Sequence, residues 1–426
     1  MADHDARGCR GFSAGGVTAP VPSVTSLEIM PVYGQSENRP LQETSAADIE
    51  TAAREQVYYT YGLRDRQGSL LGPLGAGLGE IDQSVTATGF MSATGQGRVS
   101  PAFTFQFARA ARWRDEGRTA QGTIIGDNGF GGRQINEWIA SDPSPLGRNQ
   151  TYWMRESARL ANEFGIALSC PYVFLFQGTS AKDQVGSSYR ADFETAHTET
   201  LNEAQSLFGA SPRLVVVVNG ADVNSIGDLY ETPGAQYRLA MEHDGIVATW
   251  QRVFLINDLN IHPTGRTQVL IGETCDWAVS EVEAGNVWNI TYSVAKSGAH
   301  VTVRFSLRPG ETLMSRPDLY DAFGGSATCL DFGFEAEGGI QSALPDWEGD
   351  SVTLVLRSAS AGWLRFAHQL QDCYAMADAQ GRTMSAHRST LFGSHTRESR
   401  FVPGERLWRP LPGFRGKFSG DLFIPE

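Results

Sequence analysis

The sequence predicts an α/β protein, with a doubly wound, mainly parallel sheet followed by an all-β, sandwich-like C-terminal domain. Two observations predict this architecture. Up to about residue 279, short apolar runs alternate with longer stretches of helical periodicity, which is the pattern of βαβ units. Beyond about residue 288, short alternating strands separated by Gly and Pro turns replace that pattern. We therefore expect an N-terminal arm over residues 1–25, an α/β domain over 26–287 and a β-rich domain over 288–426.

Five apolar runs predict the strands of the parallel sheet. They cover residues 27–33, 123–126, 172–176, 214–218 and 253–256. Several of these runs contain no polar residue, as is typical of strands that are covered by helices on both faces of a sheet.

Helical periodicity, with apolar residues three to four positions apart, predicts the helices that connect these strands. The predicted helices cover residues 152–164, 192–208 and 236–250. A segment rich in Gly, Ser and Thr, at about residues 42–101, interrupts the pattern. We interpret it as a loop-rich insertion.

The composition excludes some classes of partner. A net charge of -13 at pH 7 gives no general attraction for nucleic acid or anionic lipid, so we expect no nucleic-acid partner. No run approaches the roughly 18 apolar residues of a membrane span, so no membrane insertion is expected. Residues 1–16 lack the apolar region of a classical signal peptide, which favours a cytoplasmic protein. The five cysteines are widely spread and predict free thiols, and the sequence does not predict the oligomeric state.

Reactive residues are expected in the loops after the parallel strands, because ligands of open α/β sheets bind beyond the carboxyl ends of the strands. Four such loops carry suitable residues. They are residues 34–36 after the first predicted strand, 128–132 after the second, 177–180 after the third and 258–262 after the fifth.

These loops supply the groups that acyl transfer needs: a hydroxyl nucleophile, an imidazole base, an orienting carboxylate and donors for the oxyanion. Ser36 is the candidate nucleophile, His262 the candidate base and Asp258 the candidate carboxylate. The backbone amides of Ser36 and Gly132 and the side chain of Gln177 are the candidate oxyanion donors.

The same loops resemble a known family. Residues 34–36 resemble the Gly-Gln-Ser-Asn block around the nucleophile of SGNH hydrolases, specifically sialate O-acetylesterases and related carbohydrate acetylesterases. Gly131 and Gly132 followed by Trp138 resemble the family's Gly-Gly-x-x-x-x-x-Trp oxyanion segment. Residues 176–180 resemble its Gln-Gly-Glu-Ser block, and residues 261–263 resemble the block with the catalytic histidine. The order and approximate spacing agree over about residues 29–272.

The resemblance implies a flavodoxin-like SGNH sheet and a serine esterase that removes O-acetyl groups from a carbohydrate through an acyl-enzyme, without a metal or organic cofactor. The implied partner is an acetylated oligo- or polysaccharide. Candidates for substrate contact are Gln35, Glu37, Trp138 and Thr179, although Trp138 also fits a role in helix packing. The β-rich domain is then either a structural cap or a glycan-binding module.

Two departures from the family pattern support an alternative function. Glu37 replaces the Asn after the nucleophile, and Thr179 replaces a Glu that can serve as the acid partner of the histidine. Asp258 lies four residues before His262 rather than three, so Asp183 is the alternative acid. The second hypothesis is a catalytically weak or inactive glycan-binding protein, such as a spike or fibre component that is released as part of a phage-like particle.

Two other motifs do not indicate a site. Residues 11–15 fit the Gly-x-Ser-x-Gly elbow of α/β-hydrolases, but no predicted strand precedes them. Residues 72–79 are rich in Gly but lack the Gly-Lys pair of a phosphate-binding loop, so nucleotide binding is not predicted.

Overall fold

The computed structural model describes most of the predicted α/β core and the β-rich region. The described residues are 25–34, 60–64, 70–71, 87–92, 100–118, 122–127, 131–141, 145–178, 185–218, 231–243, 245–250, 257–258, 263, 265–318, 329–367, 376–377, 383–385 and 389–426.

A nine-stranded, largely parallel sheet forms the first part of the chain. Its strands are β1 (Ser26–Gly34), β2 (Thr60–Arg64), β3 (Leu70–Leu71), β4 (Gly89–Ser92), β5 (Gly122–Asp127), β6 (Ala167–Ser169), β7 (Tyr172–Phe176), β8 (Arg213–Val217) and β9 (Ile246–Thr249). The main path runs β3-β2-β5-β1-β7-β8-β9, with β4 paired to β2 and β6 paired to β1. The strands from β2 to β9 along this path are parallel, whereas β3 and β4 are antiparallel to β2.

Helices cover both faces of this sheet. They are α1 (Pro101–Asp115), α2 (Pro145–Phe164), α3 (Gly186–Phe208), α4 (Glu231–Glu242) and α5 (Gly265–Glu283). Alternate residues of β7 pack on opposite helix layers, because successive side chains of a strand point to opposite faces. Phe174 and Phe176 belong to the core with α1 and α5, whereas Val173 and Leu175 belong to the core with α3 and α4. The predicted α/β core with a parallel sheet is confirmed.

One helix predicted for this part of the chain was wrong in detail. The helix predicted over residues 236–250 ends at Glu242, and Ile246–Thr249 form strand β9 at the edge of the sheet. Pairing with β8 buries Ile246 and Val247, and the periodicity of such a short run does not distinguish a strand from a helix. Strands β2, β3 and β4 lie within the predicted loop-rich segment. The strand predicted over residues 253–256 lies outside the described residues.

The chain after α5 is rich in antiparallel strands, as predicted. A short strand, β10 (Asn257–Asp258), precedes α5. Those that follow are β11 (Tyr292–Ser297), β12 (His300–Phe305), β13 (Leu313–Ser315), β14 (Phe334–Ala336), β15 (Ile340–Pro345), β16 (Ser351–Leu356), β17 (Trp363–Phe366), β18 (Met376–Ala377), β19 (Thr383–Ser385), β20 (Leu391–Glu398), β21 (Arg406–Pro410), β22 (Phe414–Ser419) and β23 (Leu422–Pro425). They form sheets ordered β11-β12-β16-β15, β13-β20-β21 and β14-β17-β22-β23. Phe305, Phe334, Phe366 and Phe414 form an aromatic cluster in the core between strands of two of these sheets.

Contacts join the two parts of the chain. Strand β10 pairs with β19, so a segment before α5 and a segment of the β-rich region form one small sheet. The indole of Trp288 donates a hydrogen bond to the Val247 carbonyl of β9, and Arg409 of β21 donates to the Trp288 carbonyl. Within the ranges given above, no helix is both long and apolar enough to cross a membrane.

Candidate functional site

Three of the four predicted loops leave neighbouring strands at one edge of the sheet. Strand β1 lies between β5 and β7, and all three strands are parallel. In the register, Asp127 at the end of β5 lies opposite Val32, and Phe176 at the end of β7 lies opposite Gly34 at the end of β1. The segments that follow these residues therefore start side by side at the carboxyl edge, where ligands of open α/β sheets bind.

The direction of α5 relates the fourth predicted loop to the same edge. The Tyr172 hydroxyl, at the start of β7, donates a hydrogen bond of 2.9 Å to Glu283 Oε1, at the end of α5. The last turn of α5 therefore lies at the amino edge of the sheet. Because the helix has 19 residues and rises about 1.5 Å per residue, its first residue lies roughly 28 Å away, toward the carboxyl edge. The buried Pro263 directly follows His262 in the sequence and precedes Gly265 by two residues.

Gln177 connects strand β7 to the turn that contains Gly132. The Gln177 side chain is fully buried, and its Nε2 donates a hydrogen bond of 2.9 Å to the Arg133 carbonyl. The Gln177 backbone carbonyl accepts a hydrogen bond from Gln236 Nε2 of α4. The end of strand β7 and the residue after Gly132 are thus held together by a side-chain amide. One hydrogen of that amide is engaged by Arg133, so only the second remains for the predicted oxyanion role.

Gly132 has a backbone conformation that favours glycine. Its φ is +77°, in the left-handed region, and a Cβ atom at this position would meet no atom within 4 Å. The backbone angle, rather than a lack of space, therefore requires a glycine. A short 3₁₀ helix, Ile135–Trp138, follows, and Glu137 Oε1 accepts a hydrogen bond of 3.0 Å from the Gln134 amide at its start. These contacts fix the direction of the turn.

Trp138 lies in the core. Its side chain is 1% exposed and packs in the same hydrophobic cluster as Ile135, Leu146 and Tyr189. The Trp138 indole nitrogen has no hydrogen-bond partner among the residues that the structure describes. This burial agrees with the packing interpretation of Trp138.

A buried network that the sequence analysis missed fixes the carboxyl end of β1. The Tyr33 hydroxyl donates to Thr200 Oγ1 of α3 at 2.6 Å, and Gln150 Nε2 of α2 donates to the same oxygen at 2.8 Å. Burial raises the pKa of the Tyr33 hydroxyl above its usual value. The only signal in the sequence was a tyrosine within an apolar strand. This network anchors the strand end three residues before Ser36.

His197, next to this network, is not suited to act as a base at the carboxyl edge. Its ring stacks on Phe193 of the same helix at a centroid distance of 5.2 Å. Burial, with a smaller contribution from His243, lowers the pKa of His197 to about 4. The ring is therefore a neutral core group near pH 7.

Several candidate residues lie outside the described residues. They are Gln35, Ser36, Glu37, Thr179, Asp183 and His262. The backbone of Asp258 lies in β10 opposite Met384 of β19, so the β-rich region borders the segment that carries this candidate acid. Among the residues with described positions, no group of three or more His, Cys, Asp or Glu side chains is arranged to hold a metal ion.

The sequence matches no protein-family model and no curated protein. Among solved structures, the chain is similar to a carbohydrate acetylesterase from Xanthomonas citri, with a TM-score of 0.55 and 14% sequence identity. This alignment covers 91% of this chain and 80% of that chain. A protein from Arabidopsis thaliana aligns with 60% of this chain and 98% of that chain, with a TM-score of 0.39 and 15% identity. At 14% identity, the first similarity is evidence for a shared fold.

Proposed function

We propose that this protein is an SGNH-type serine hydrolase that removes O-acetyl groups from a carbohydrate. The observation that carries the proposal is the register of β5, β1 and β7, whose adjacent carboxyl ends lead into the segments with Gly132, Ser36 and Gln177. The fold shared with a carbohydrate acetylesterase supports the same activity. We assign the hydrolase domain to residues 26–287, with residues 1–25 as an arm, and the β-rich domain to 288–426.

The proposed reaction is acyl transfer in two steps. His262 takes the proton of Ser36 as its Oγ attacks the acetyl carbonyl carbon, and the protonated imidazole then gives this proton to the departing sugar oxygen. A water molecule, deprotonated by His262, attacks the acetyl-enzyme and releases acetate, and Ser36 recovers its proton. The amides of Ser36 and Gly132, and the second amide hydrogen of Gln177, stabilise the oxyanion in both steps.

The anchored strand and turn make this assignment physically reasonable. The network of Tyr33 with Thr200 fixes the strand that leads to Ser36, and the bond from Gln177 to Arg133 fixes the turn with Gly132. An oxyanion hole depends on such preorganisation, because donors that must reorganise during the reaction contribute less. In the sequence, His262 directly precedes the buried Pro263, and α5 begins at Gly265.

We assign the orienting carboxylate to Asp258 and a covering role to the β-rich domain. The pairing of β10 with β19 joins the backbone of Asp258 to the β-rich region, as expected of a cap over one side of a site. The net charge of -13 suits a neutral acetylated glycan better than a polyanion. Gln35, Glu37 and Thr179 are the proposed polar contacts to that glycan.

A second candidate is a glycan-binding protein with little or no esterase activity. Thr179 stands where the resembling family has a Glu, and one hydrogen of the Gln177 amide is already engaged by Arg133. Under this alternative the same crevice binds the sugar but does not hydrolyse the ester.

The decisive experiment measures hydrolysis of p-nitrophenyl acetate, and acetate release from an acetylated polysaccharide, by the full chain. We expect Ser36→Ala to lower kcat/KM by at least about 1,000-fold. Ser211→Ala, at an exposed serine between α3 and β8, is the control and should retain full activity. Equal, slow hydrolysis by the wild type and Ser36→Ala, with glycan binding retained by both, would favour the second candidate.

The identity of the acid is tested with the same assays. Asp258→Asn should lower kcat far more than Asp183→Asn, because an amide cannot stabilise the imidazolium that forms during catalysis. A larger loss in Asp183→Asn would transfer the role to Asp183.

A further inference from the structure

A polar cleft lies between α1, the second half of α5 and strand β20, and one of its lobes reaches Glu283 at the end of α5. It has two lobes, with cavity volumes of about 340 Å³ and about 300 Å³, and Arg112, Glu116 and Arg397 line both. Volumes in this range accommodate a ligand of monosaccharide size. The cleft lies near Glu283, at the opposite end of α5 from the candidate active site. Glu273, the cleft residue of α5 nearest to the candidate active site, lies roughly 12 Å along the helix from Gly265.

Arg397 stands out among the charged residues of the cleft. Its side chain is half-buried, and its guanidinium carbon lies 5.8 Å from the ring centroid of Trp277. Within the described part of the chain, the Arg397 guanidinium has no ion pair and no hydrogen bond. Burial lowers the pKa of Arg397, an effect that the more distant charges of Asp276 and Glu281 oppose. A half-buried cation without a direct partner keeps only part of its hydration, so an anion in the cleft would stabilise it.

The carboxylates around Arg397 are engaged by other groups. Asp276 accepts a hydrogen bond of 3.0 Å from Arg112, Glu281 accepts one of 2.9 Å from Arg308, and Glu283 accepts one of 2.9 Å from Tyr172. Glu116 lies 3.2 Å from Arg118, and Glu398 lies 3.4 Å from Arg406. The fold therefore pairs the carboxylates of the cleft with other donors and leaves the guanidinium of Arg397 open to the cavity.

The charges of the lining also restrict the ligand. A planar carboxylate matches the fork of a guanidinium, with two parallel hydrogen bonds. The larger lobe is lined by three arginines, including Arg397, and three carboxylates. A phosphate dianion would therefore leave twice the net negative charge that a monocarboxylate leaves, which disfavours it. The same carboxylates are good acceptors for hydroxyl groups. We propose that this cleft binds a hydroxylated monocarboxylate of monosaccharide size, such as a uronic acid, with Arg397 binding its carboxylate.

The test uses the full chain, with D-glucuronate as the probe and D-glucose and inorganic phosphate as comparison ligands. Titration calorimetry and the change in Tm with ligand concentration measure binding. We expect glucuronate to bind at least ten times more tightly than glucose or phosphate, and to raise Tm. Quenching or enhancement of Trp277 fluorescence, absent in Trp277→Phe, would locate the ligand beside Arg397.

Variants distinguish this cleft from other arginine sites. Arg397→Gln should weaken glucuronate binding at least tenfold, and Arg397→Lys, which keeps the charge but loses the fork, should weaken it several-fold. Arg304→Gln, at an exposed arginine of strand β12 that lines neither lobe of the cleft, should bind as the wild type does. If Arg397→Gln does not fold, the affinity of Arg397→Lys for glucuronate tests the proposal instead. The proposal is wrong if the wild type does not bind glucuronate, if both Arg397 variants bind it normally, or if phosphate binds as tightly.

Discussion

The side-chain amide of Gln177 donates a hydrogen bond of 2.9 Å to the backbone carbonyl of Arg133, which lies 44 positions earlier in the chain. Gln177 directly follows the buried strand β7, and Arg133 follows Gly132 in an exposed turn. The core of the sheet thus fixes the position of a surface turn. If that turn supplies an oxyanion donor, its precision depends on the Gln177 side chain.

Replacing Gln177 by Leu should reduce both stability and activity. The Arg133 carbonyl would lose its partner in a partly buried hydrogen bond, which costs about 1 kcal/mol. The turn would also lose its anchor, so we expect kcat on p-nitrophenyl acetate to fall about 10- to 100-fold. Urea denaturation and steady-state kinetics measure the two effects. Gln106→Leu, at a buried amide of α1, is the control that should lose stability but not kcat.

A substitution at Gly132 separates backbone strain from catalysis. Gly132→Ala places a side chain at φ +77° with no steric contact, so it should cost about 1 kcal/mol of unfolding free energy. Gly165→Ala is a matched control, since Gly165 follows α2 with φ +67° and a Cβ atom there would also meet no atom within 4 Å. We expect similar losses of stability in the two variants. Only Gly132→Ala should lower kcat, by about tenfold or more, because it shifts a donor amide. Equal kcat values in both variants would argue against Gly132.

Glu273 should make the protein less stable as the pH rises from about 4.5 to about 7. Burial raises the pKa of Glu273 to about 7 in the folded state, despite hydrogen bonds from Ser399 and from backbone amides including that of Phe401. In this pH window the unfolded chain has lost the proton and the folded chain keeps it, so unfolding is favoured as the pH rises. Above about pH 7 both states are ionised and the effect is constant.

Glu273→Gln should therefore stabilise the protein at pH 8, by roughly 2–3 kcal/mol relative to the wild type, and have little effect at pH 4.5. Urea denaturation at both pH values measures this difference. Glu398→Gln, at an exposed carboxylate of β20, is the control. A wild type that is equally or more stable than Glu273→Gln at pH 8 would show that the hydrogen bonds outweigh burial.

Replacing only one member of the ion pair between Arg409 and Glu311 should strongly lower the free energy of unfolding. Both side chains are almost fully buried, at 1% and 0% exposure, and Arg409 also donates to the Trp288 carbonyl. Arg409→Met leaves the carboxylate of Glu311 buried without its cation, which costs about 3–5 kcal/mol. The double variant Arg409→Met with Glu311→Leu should recover more than half of that loss. Denaturant midpoints measure both variants, and a double variant that is less stable than Arg409→Met would contradict this.

The sequence predicted the central strands well, because their apolar character does not depend on which helices cover them. The run over residues 172–176 coincides with β7, and those over 27–33 and 214–218 differ from β1 and β8 by one residue at each end. Strands covered on both faces must be apolar throughout, and that requirement is visible in the sequence. The sequence analysis assigned the residues of β9 to a helix, because its conformation is decided by its pairing with β8, which the sequence does not reveal.

The candidate site was predictable only as a set of loops. The sequence indicates that residues 34–36, 128–132 and 177–180 each follow a strand, but chain order does not give the order of strands in a sheet. The structure shows that β1 lies between β5 and β7. The anchoring of the turn by Gln177 joins positions far apart in the chain, and no local pattern encodes such a contact.

By itself the sequence determined the α/β core, the β-rich C-terminal region and the strands whose ends carry the candidate residues, because hydrophobic burial leaves a periodic pattern along the chain. Tertiary structure alone decided which polar groups meet. It engages Gln177 with Arg133 and buries Glu311 against Arg409. Among the residues with described positions, it gives Arg397 no carboxylate within ion-pair distance. The physical reason is that hydrogen bonds and ion pairs depend on distances between atoms, and these distances are set when the sheets and helices pack.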